Sequence, residues 1–253
     1  MSKLQLTKKE FKHLTSGIYA LDTKDIRENL RYLYLNGNNE PVNDIDAVCT
    51  DGYRMSLRGI EGKFFDDNIL LEVELIKMIN SINFNIIIIN TDNDNISIMI
   101  DNHYIINSPK INYNYVKYQP FIPDKKYNIN NECYCTNFDI NSMLDVLKNT
   151  SKNQSIKLLF EKNTIKVSSM NLDNNYSIGE SCKRYNENLF STGINATFLK
   201  NTLKYFKENK DNKIYFTSEG ELKPLYFTNN FSSDKINLKL DVILPVREFK
   251  GVN

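Results

Sequence analysis

Three groups of residues have types and spacings that could do chemistry. The first is lysine. Lys200, Lys204 and Lys207 stand at i, i+4 and i+7; Lys8, Lys9 and Lys12 form a similar patch, Lys148 and Lys152 another, and Lys77 adds one more. At 3.6 residues per helical turn, such spacings gather ammonium groups on one side, while Leu203 and Phe206 point to the other. An ammonium on a flexible stem is a point charge with no preferred fork. A stripe of them suits a phosphate backbone that is held without being read. Each contact displaces a counterion and stays exchangeable, which permits sliding. Taken helix by helix, solvated lysines on amphipathic helices explain the same pattern, so the patches gain meaning only if a fold gathers them.

The second group holds the residues that could bind a metal or act as nucleophiles, and it is sparse. Asp92-Asn93-Asp94-Asn95 opens like a calcium loop but lacks the glycine at the sixth position and the later glutamate, so it reads as a hairpin turn. The only histidines are His13 and His103, and Cys49, Cys133, Cys135 and Cys182 include no C-x-x-C pair and no zinc spacing. Cys133-Tyr134-Cys135 alternates like a strand and reads as reduced residues in a cytosolic sheet. No G-x-x-x-x-G-K-[ST] loop, G-x-S-x-G elbow or H-E-x-x-H helix occurs. These features predict a protein that is not an enzyme and carries no cofactor or metal.

The third group is a pair of turns. Leu30-Arg31-Tyr32-Leu33-Tyr34-Leu35-Asn36-Gly37 reads as a strand ending in an Asn-Gly turn. Ala47-Val48-Cys49-Thr50-Asp51-Gly52-Tyr53-Arg54-Met55 reads as a strand, a tight Asp-Gly turn and a returning strand, with Tyr53 and Met55 on one side and Arg54 on the other. By pattern alone this is an ordinary hairpin.

The elements that must position these residues follow from periodicity. Helical spacing occurs over Lys8 to Tyr19, Leu71 to Ile82, Ile140 to Leu147 (with Asn137 or Asp139 available as a cap) and Ala196 to Lys207. Alternating or β-branched segments between them predict antiparallel pairs: Ile86–Ile89 with Ile96–Ile100, Ile156–Phe160 with Thr164–Ser168, and Lys213–Phe216 with Leu225–Thr228. Helix, strands, helix and strands occur once before about residue 125 and again after it, which predicts an α+β chain of two similar domains, 1–123 and 124–253. The Pro-containing stretch Gln119 to Lys125 is the expected connector. With two helices beside many strands, each domain covers only one face of its sheets with helix, an arrangement that antiparallel sheets tolerate.

Composition agrees. At 253 residues, 41% hydrophobic and 25% charged, the chain can bury a core and is not wholly disordered. Its net charge is +1, with 14 Lys and Arg against 17 Asp and Glu in residues 1–125 and 18 against 14 in residues 126–253. Neither half is basic enough to hold nucleic acid by bulk charge, so contact with DNA must rest on local placement of lysines. No apolar run exceeds Ile86–Ile89, far short of the ~20 residues of a membrane span. The N-terminal MSKLQLTKKEFKHL lacks the apolar stretch of a signal peptide, so a soluble, cytoplasmic protein is expected.

The paired turns resemble the middle domain of the bacterial DNA polymerase III β sliding clamp, where a strand ending in L-N-G is followed by A-T-D-G-H-R-L. The ending Asp241-Val242-Ile243-Leu244-Pro245-Val246-Arg247 is similar to that family's last strand, V-V-M-P-M-R. Between them, Tyr104-Ile105-Ile106-Asn107-Ser108-Pro109-Lys110, Tyr113 and Ile122-Pro123-Asp124-Lys125 resemble the segment leading into the last domain. Tyr53 departs from the usual histidine, and the Arg31-to-Leu35 stretch has one residue more than the pattern.

The resemblance implies tandem clamp (processivity-fold) domains in a ring, with helices lining a hole that encircles duplex DNA. Family rings hold six domains, three per chain, and this chain matches the second and third. Three copies then make a ring, so a homotrimer joined head to tail is expected, with a dimer as the alternative. The lysines Lys8, Lys9, Lys12, Lys77, Lys148, Lys152, Lys200, Lys204 and Lys207 would face the duplex. A pocket for short peptides of the polymerase and the clamp loader would take Leu35, Thr50, Gly52, Tyr53, Arg54 and Met55 on one wall. Val242, Leu244, Pro245, Val246 and Arg247 would form the other wall, with Pro123 close by. A second reading is a clamp-like protein that binds the same peptides and sequesters replication partners without encircling DNA.

Overall fold

A computed structural model describes residues 2–122, 133–148, 150–151, 154–161, 165–169, 172–178, 190–208, 213–218, 220, 222–229 and 239–246. The chain divides into two compact units, Met1–Pro123 with Ser232–Lys239, and Asp124–Phe231 with Leu240–Asn253.

In chain order the first unit contains β1 (Ser2–Thr7), α1 (Lys8–Leu14), β2 (Leu33–Asn36), β3 (Ile45–Thr50), β4 (Arg54–Ile60), β5 (Asn68–Leu71), α2 (Val73–Ser81), β6 (Ile86–Thr91), β7 (Asn95–Ile100) and β8 (Tyr104–Pro109). The second contains β9 (Cys133–Thr136), α3 (Asn137–Lys148), β10 (Ser155–Phe160), β11 (Ile165–Ser169), β12 (Leu172–Ile178), β13 (Phe190–Asn195), α4 (Ala196–Glu208), β14 (Lys213–Thr217), β15 (Leu225–Thr228) and β16 (Lys239–Ile243). The order of helices and strands is the same in both.

The pairing repeats as well. The strand pairs described within each unit are antiparallel, in the orders β1-β6-β7-β8 and β5-β2-β3-β4 in the first unit. In the second they run β9-β14-β15-β16 and β13-β10-β11-β12, so each strand has its counterpart in the same place. The three hairpins expected from alternation are present as β6–β7, β10–β11 and β14–β15. The Asp92–Asn95 segment is the turn of the first: Asp92 Oδ1 accepts from the backbone N–H groups of Asp94 (2.9 Å) and Asn95 (2.7 Å).

Alternation decides which face each strand buries. In β6 and β7, Ile87, Ile89, Ile96, Ile98 and Ile100 turn inward and join Leu4, Leu6, Phe11, Leu14, Ile76 and Ile79 in one apolar cluster. That cluster also takes Leu33, Leu35, Ile45, Ala47, Ile69 and Leu71 from the other sheet, so α1 and α2 share a core with both sheets. In the second unit α3 and α4 pack together, burying Ile140, Met143 and Leu147 with Leu199, Leu203 and Phe206. These are the positions helical spacing selects.

The first helix is shorter than its periodicity predicts. A capping box opens α1, with Glu10 N–H donating to Thr7 Oγ1 and Thr7 N–H donating to Glu10 Oε2 at 2.7 Å. The α-helix then stops at Leu14, and Thr15–Ala20 continues as a tighter 3-10 helix. Thr15 and Ser16 hydroxyls donate back to the carbonyls of Phe11 (2.8 Å) and His13 (2.6 Å), competing with the helical ladder. Gly17 then passes so close to β4 that an added Cβ would lie 2.5 Å from Ser56 Oγ.

The β2 and β3 strands are buried on both faces rather than one. The outer face is covered by residues 110–118, laid across the sheet without strand structure of their own. Tyr115 stacks on Tyr34 with ring centroids 4.5 Å apart, and Tyr115 Oη donates to the Val48 carbonyl at 3.2 Å. Tyr118, 1% exposed, donates to Asp46 Oδ2 at 2.6 Å and accepts from Asn36 Nδ2 at 2.9 Å. Asp46 also accepts from the Val42 N–H and from Asn43, which satisfies a carboxylate that is itself buried. Burial raises the Asp46 pKa against these bonds, and burial followed by the Asp46 charge raises that of Tyr118.

Candidate nucleic-acid interface and partner-binding turn

The lysine patches lie on helix faces opposite the buried residues, but their ammonium groups differ in how far they are already engaged. Lys9 and Lys12 on α1 and Lys204 and Lys207 on α4 are exposed. Lys8 is half-buried: its Nζ donates to Asn83 Oδ1 at 2.6 Å and lies 5.7 Å from the Phe84 ring centroid. Lys200 is also half-buried, and its Nζ lies 3.4 Å from the Leu147 carbonyl, where a cation suits the C-terminal end of α3. On α2, Lys77 pairs with Glu74 at 2.9 Å. On α3, Lys148 pairs with Asp145 at 2.6 Å, and this bond, helped by the charge of Lys207, holds Asp145 below the usual carboxylate range. Lys152 lies outside the described residues. Spacing already set Glu74 beside Lys77 and Asp145 beside Lys148, three residues apart; it could not show the partners of Lys8 and Lys200, which come from segments distant in sequence.

The Asp-Gly turn between β3 and β4 is organised by its own side chains. Asp51 Oδ1 accepts from the N–H groups of Tyr53 and Arg54, each at 3.0 Å, and Asp51 Oδ2 pairs with Arg54 Nε at 2.9 Å. Thr50 Oγ1 donates to the Arg54 carbonyl at 2.6 Å and accepts from the Gly52 N–H at 3.0 Å. Gly52 has φ +81°, a conformation in which a Cβ is strained. Tyr53 therefore sits in the turn, 65% exposed, and does not share a side with Met55, which is 7% exposed. Arg54 is the first residue of β4, so Tyr53 lies outside the strand.

The remaining pocket residues separate into surface and core. Leu35 (2% exposed) packs in the apolar cluster of the first unit, and Val242 (2%) is buried in the second. Thr50 is buried with its hydroxyl committed to the turn. Leu244, Pro245 and Val246 are half-buried, and Val246 N–H donates to the Gly193 carbonyl at 2.7 Å. Pro123 and Arg247 lie outside the described residues. Sequence reading singled out the turn but not the residues that hold it: Asp51 carried the signal of an Asx turn, whereas Arg27, which donates Nη2 to the Asp51 carbonyl at 2.7 Å, is too far away in sequence to have one.

No family model and no curated protein matches the sequence. Solved structures do. A DNA polymerase sliding clamp from Bacillus subtilis aligns over 98% of this chain and 64% of its own, with a TM-score of 0.77 at 15% identity. The chain has the sliding-clamp fold. The beta subunit of DNA polymerase from Streptococcus pyogenes matches 98% of this chain and 66% of its own (TM-score 0.75, 17% identity). A DnaN sliding clamp, the DNA polymerase III subunit beta of Bartonella birtlesii bound to griselimycin, matches 97% and 66% (TM-score 0.77, 17% identity). The chain thus spans just under two thirds of the length of these clamps. Among the described residues, no helix is long and apolar enough to cross a membrane.

Proposed function

We propose that this chain is a DNA sliding clamp, a processivity factor that encircles duplex DNA and tethers a polymerase. One observation carries the reading: the clamp fold covers 97–98% of the chain while its internal plan occurs twice, each time with two amphipathic helices. In the proposed ring three copies supply six domains, with Lys9, Lys12, Lys204 and Lys207 making the principal phosphate contacts. The engaged lysines Lys8, Lys77, Lys148 and Lys200 contribute less. Contacts of this kind centre the duplex, and closure of the ring prevents escape where salt weakens each contact.

On this reading the candidate partner residues are the Thr50–Met55 turn and Pro123 of the first unit and Leu244–Arg247 of the second, while Leu35 and Val242 are core residues. Apolar side chains around a few polar anchors suit an extended peptide that inserts one or two hydrophobic residues, as the polymerase and the clamp loader would present. Griselimycin, to which the Bartonella birtlesii clamp is bound, is the probe we choose for this proposed surface.

The decisive experiment is retention on nicked circular DNA after loading, with release on linearisation. Loss from circular and linear DNA at the same rate refutes encirclement and favours a sequestering peptide binder. Light scattering on the loaded or concentrated protein should give three times the chain mass; twice that mass defeats the trimer and leaves the ring to the retention assay.

A further inference from the structure

Residues 22–27 form a loop that docks on the outside of the Asp51–Arg54 turn. The loop sets itself with two Asx turns: Asp22 Oδ1 accepts from Lys24 N–H at 2.9 Å and Asp25 Oδ1 from Arg27 N–H at 2.8 Å. Asp25 then grips the Arg27 guanidinium with both oxygens, at 3.0 Å to Nε and 2.8 Å to Nη2. Arg31 Nε fastens the loop from behind by donating to the Asp25 carbonyl at 2.6 Å. So oriented, Arg27 Nη2 reaches the Asp51 carbonyl at 2.7 Å. The guanidinium fills the space beside Gly52: a Cβ there would lie 2.6 Å from Nη1 and 2.9 Å from Nη2. The turn is thus tied on its inner side by the Asp51 carboxylate and on its outer side by Arg27.

We infer that Arg27, held by Asp25, is a positioning residue for partner binding, fixing the surface that the Gly52–Tyr53 turn offers to a peptide. The inference rests on the reading of this turn as part of the partner surface. A turn ordered before binding does not have to be ordered by the partner, so its fixation raises affinity without a new contact. A planar fork holds two carboxylate oxygens and a carbonyl in fixed directions, whereas a lysine at 27 offers one compact ammonium without that geometry.

The test uses the full chain and two readouts. In Arg27→Ala, and equally in Arg27→Lys, exchange of the Tyr53 and Arg54 amide hydrogens should quicken, and affinity for griselimycin should fall about five-fold, the effect of a half-exposed charged contact. The thermal midpoint should fall by no more than about 2–4 °C, the effect of one surface contact. Asp25→Asn keeps the side-chain size and should reproduce the result in a weaker form, providing a second variant should Arg27→Ala fold poorly. Unchanged amide exchange in all three variants overturns the inference. So does faster exchange with unchanged griselimycin affinity, and so does full rescue by lysine. A wild-type chain that does not bind griselimycin refutes the partner-surface reading instead, and amide exchange alone then decides whether Arg27 fixes the turn.

Discussion

The lysines differ in their neighbours, and on the proposed reading this difference predicts how salt acts on DNA binding. Lys12 on α1 and Lys204 on α4 are exposed, whereas Lys77 and Lys148 each lie beside a carboxylate of their own helix, at 2.9 and 2.6 Å. Lys12→Gln with Lys204→Gln, and Lys77→Gln with Lys148→Gln, remove the same formal charge, one from each unit. If Lys12 and Lys204 touch phosphates, their removal lowers the slope of log K against log salt by about 1.8 per bound copy, at ~0.9 per contact. Referred to 1 M salt, that is roughly a 60-fold loss of affinity at 0.1 M. The second pair should lose less than half as much, because Glu74 and Asp145 repel a phosphate at those positions while the lysines are there and leave little contact to remove. The assay is fluorescence anisotropy with a labelled duplex, titrated between about 50 and 200 mM salt, the range over which such contacts separate. Equal slopes for wild type and Lys12→Gln/Lys204→Gln would refute the assignment of these helix faces to DNA. Equal losses in both double variants would mean that bulk charge, not local contact, is responsible.

Three further outcomes test the structure. His13 is held down to about 4, chiefly by burial and next by the nearby Arg58 charge. Its neutral form is therefore favoured on folding, and stability present above pH 6.5 should fall by up to about 3 kcal/mol as pH drops towards 4. Urea titrations across that range should show His13→Gln losing this component. Tyr118→Phe removes one buried partner from each of Asp46 and Asn36 and should cost about 1–3 kcal/mol. Calorimetry checks this, at roughly 2–4 °C per kcal/mol for a chain of this size. Gly52→Ala and Gly62→Ala both place a side chain at positive φ, but only at 52 does the new Cβ meet a neighbour. Both should lose about 1–2 kcal/mol to backbone strain, and the excess loss at position 52, read by chemical denaturation, measures the displacement of Arg27; equal losses would deny that contact.

Much of the fold was written in periodicity. Leu199, Leu203 and Phe206 are buried because helical spacing sets them on one side. Ile87 and Ile89 face the core because a strand alternates. The Asp-Gly turn was legible because Asp51 and Gly52 act on their own backbone, within three residues. Such local rules also marked the amphipathic helices and the twofold repeat of the plan. Where distant segments compete with them, local rules miss. The end of α1 at Leu14 depends on Gly17 meeting Ser56, and the two-faced burial of β2 and β3 depends on Tyr115 and Tyr118 arriving from later in the chain. The site divides in the same way. Sequence by itself determined which residue types stand on the exposed faces of the helices and at the turn, since these follow from spacing along one segment. Tertiary structure alone decided that Lys8 and Lys200 are tied down, that Leu35 is core, and that Arg27 reaches Asp51, because a hydrogen bond or a packed contact depends on distance in space and the chain brings those partners together only by folding.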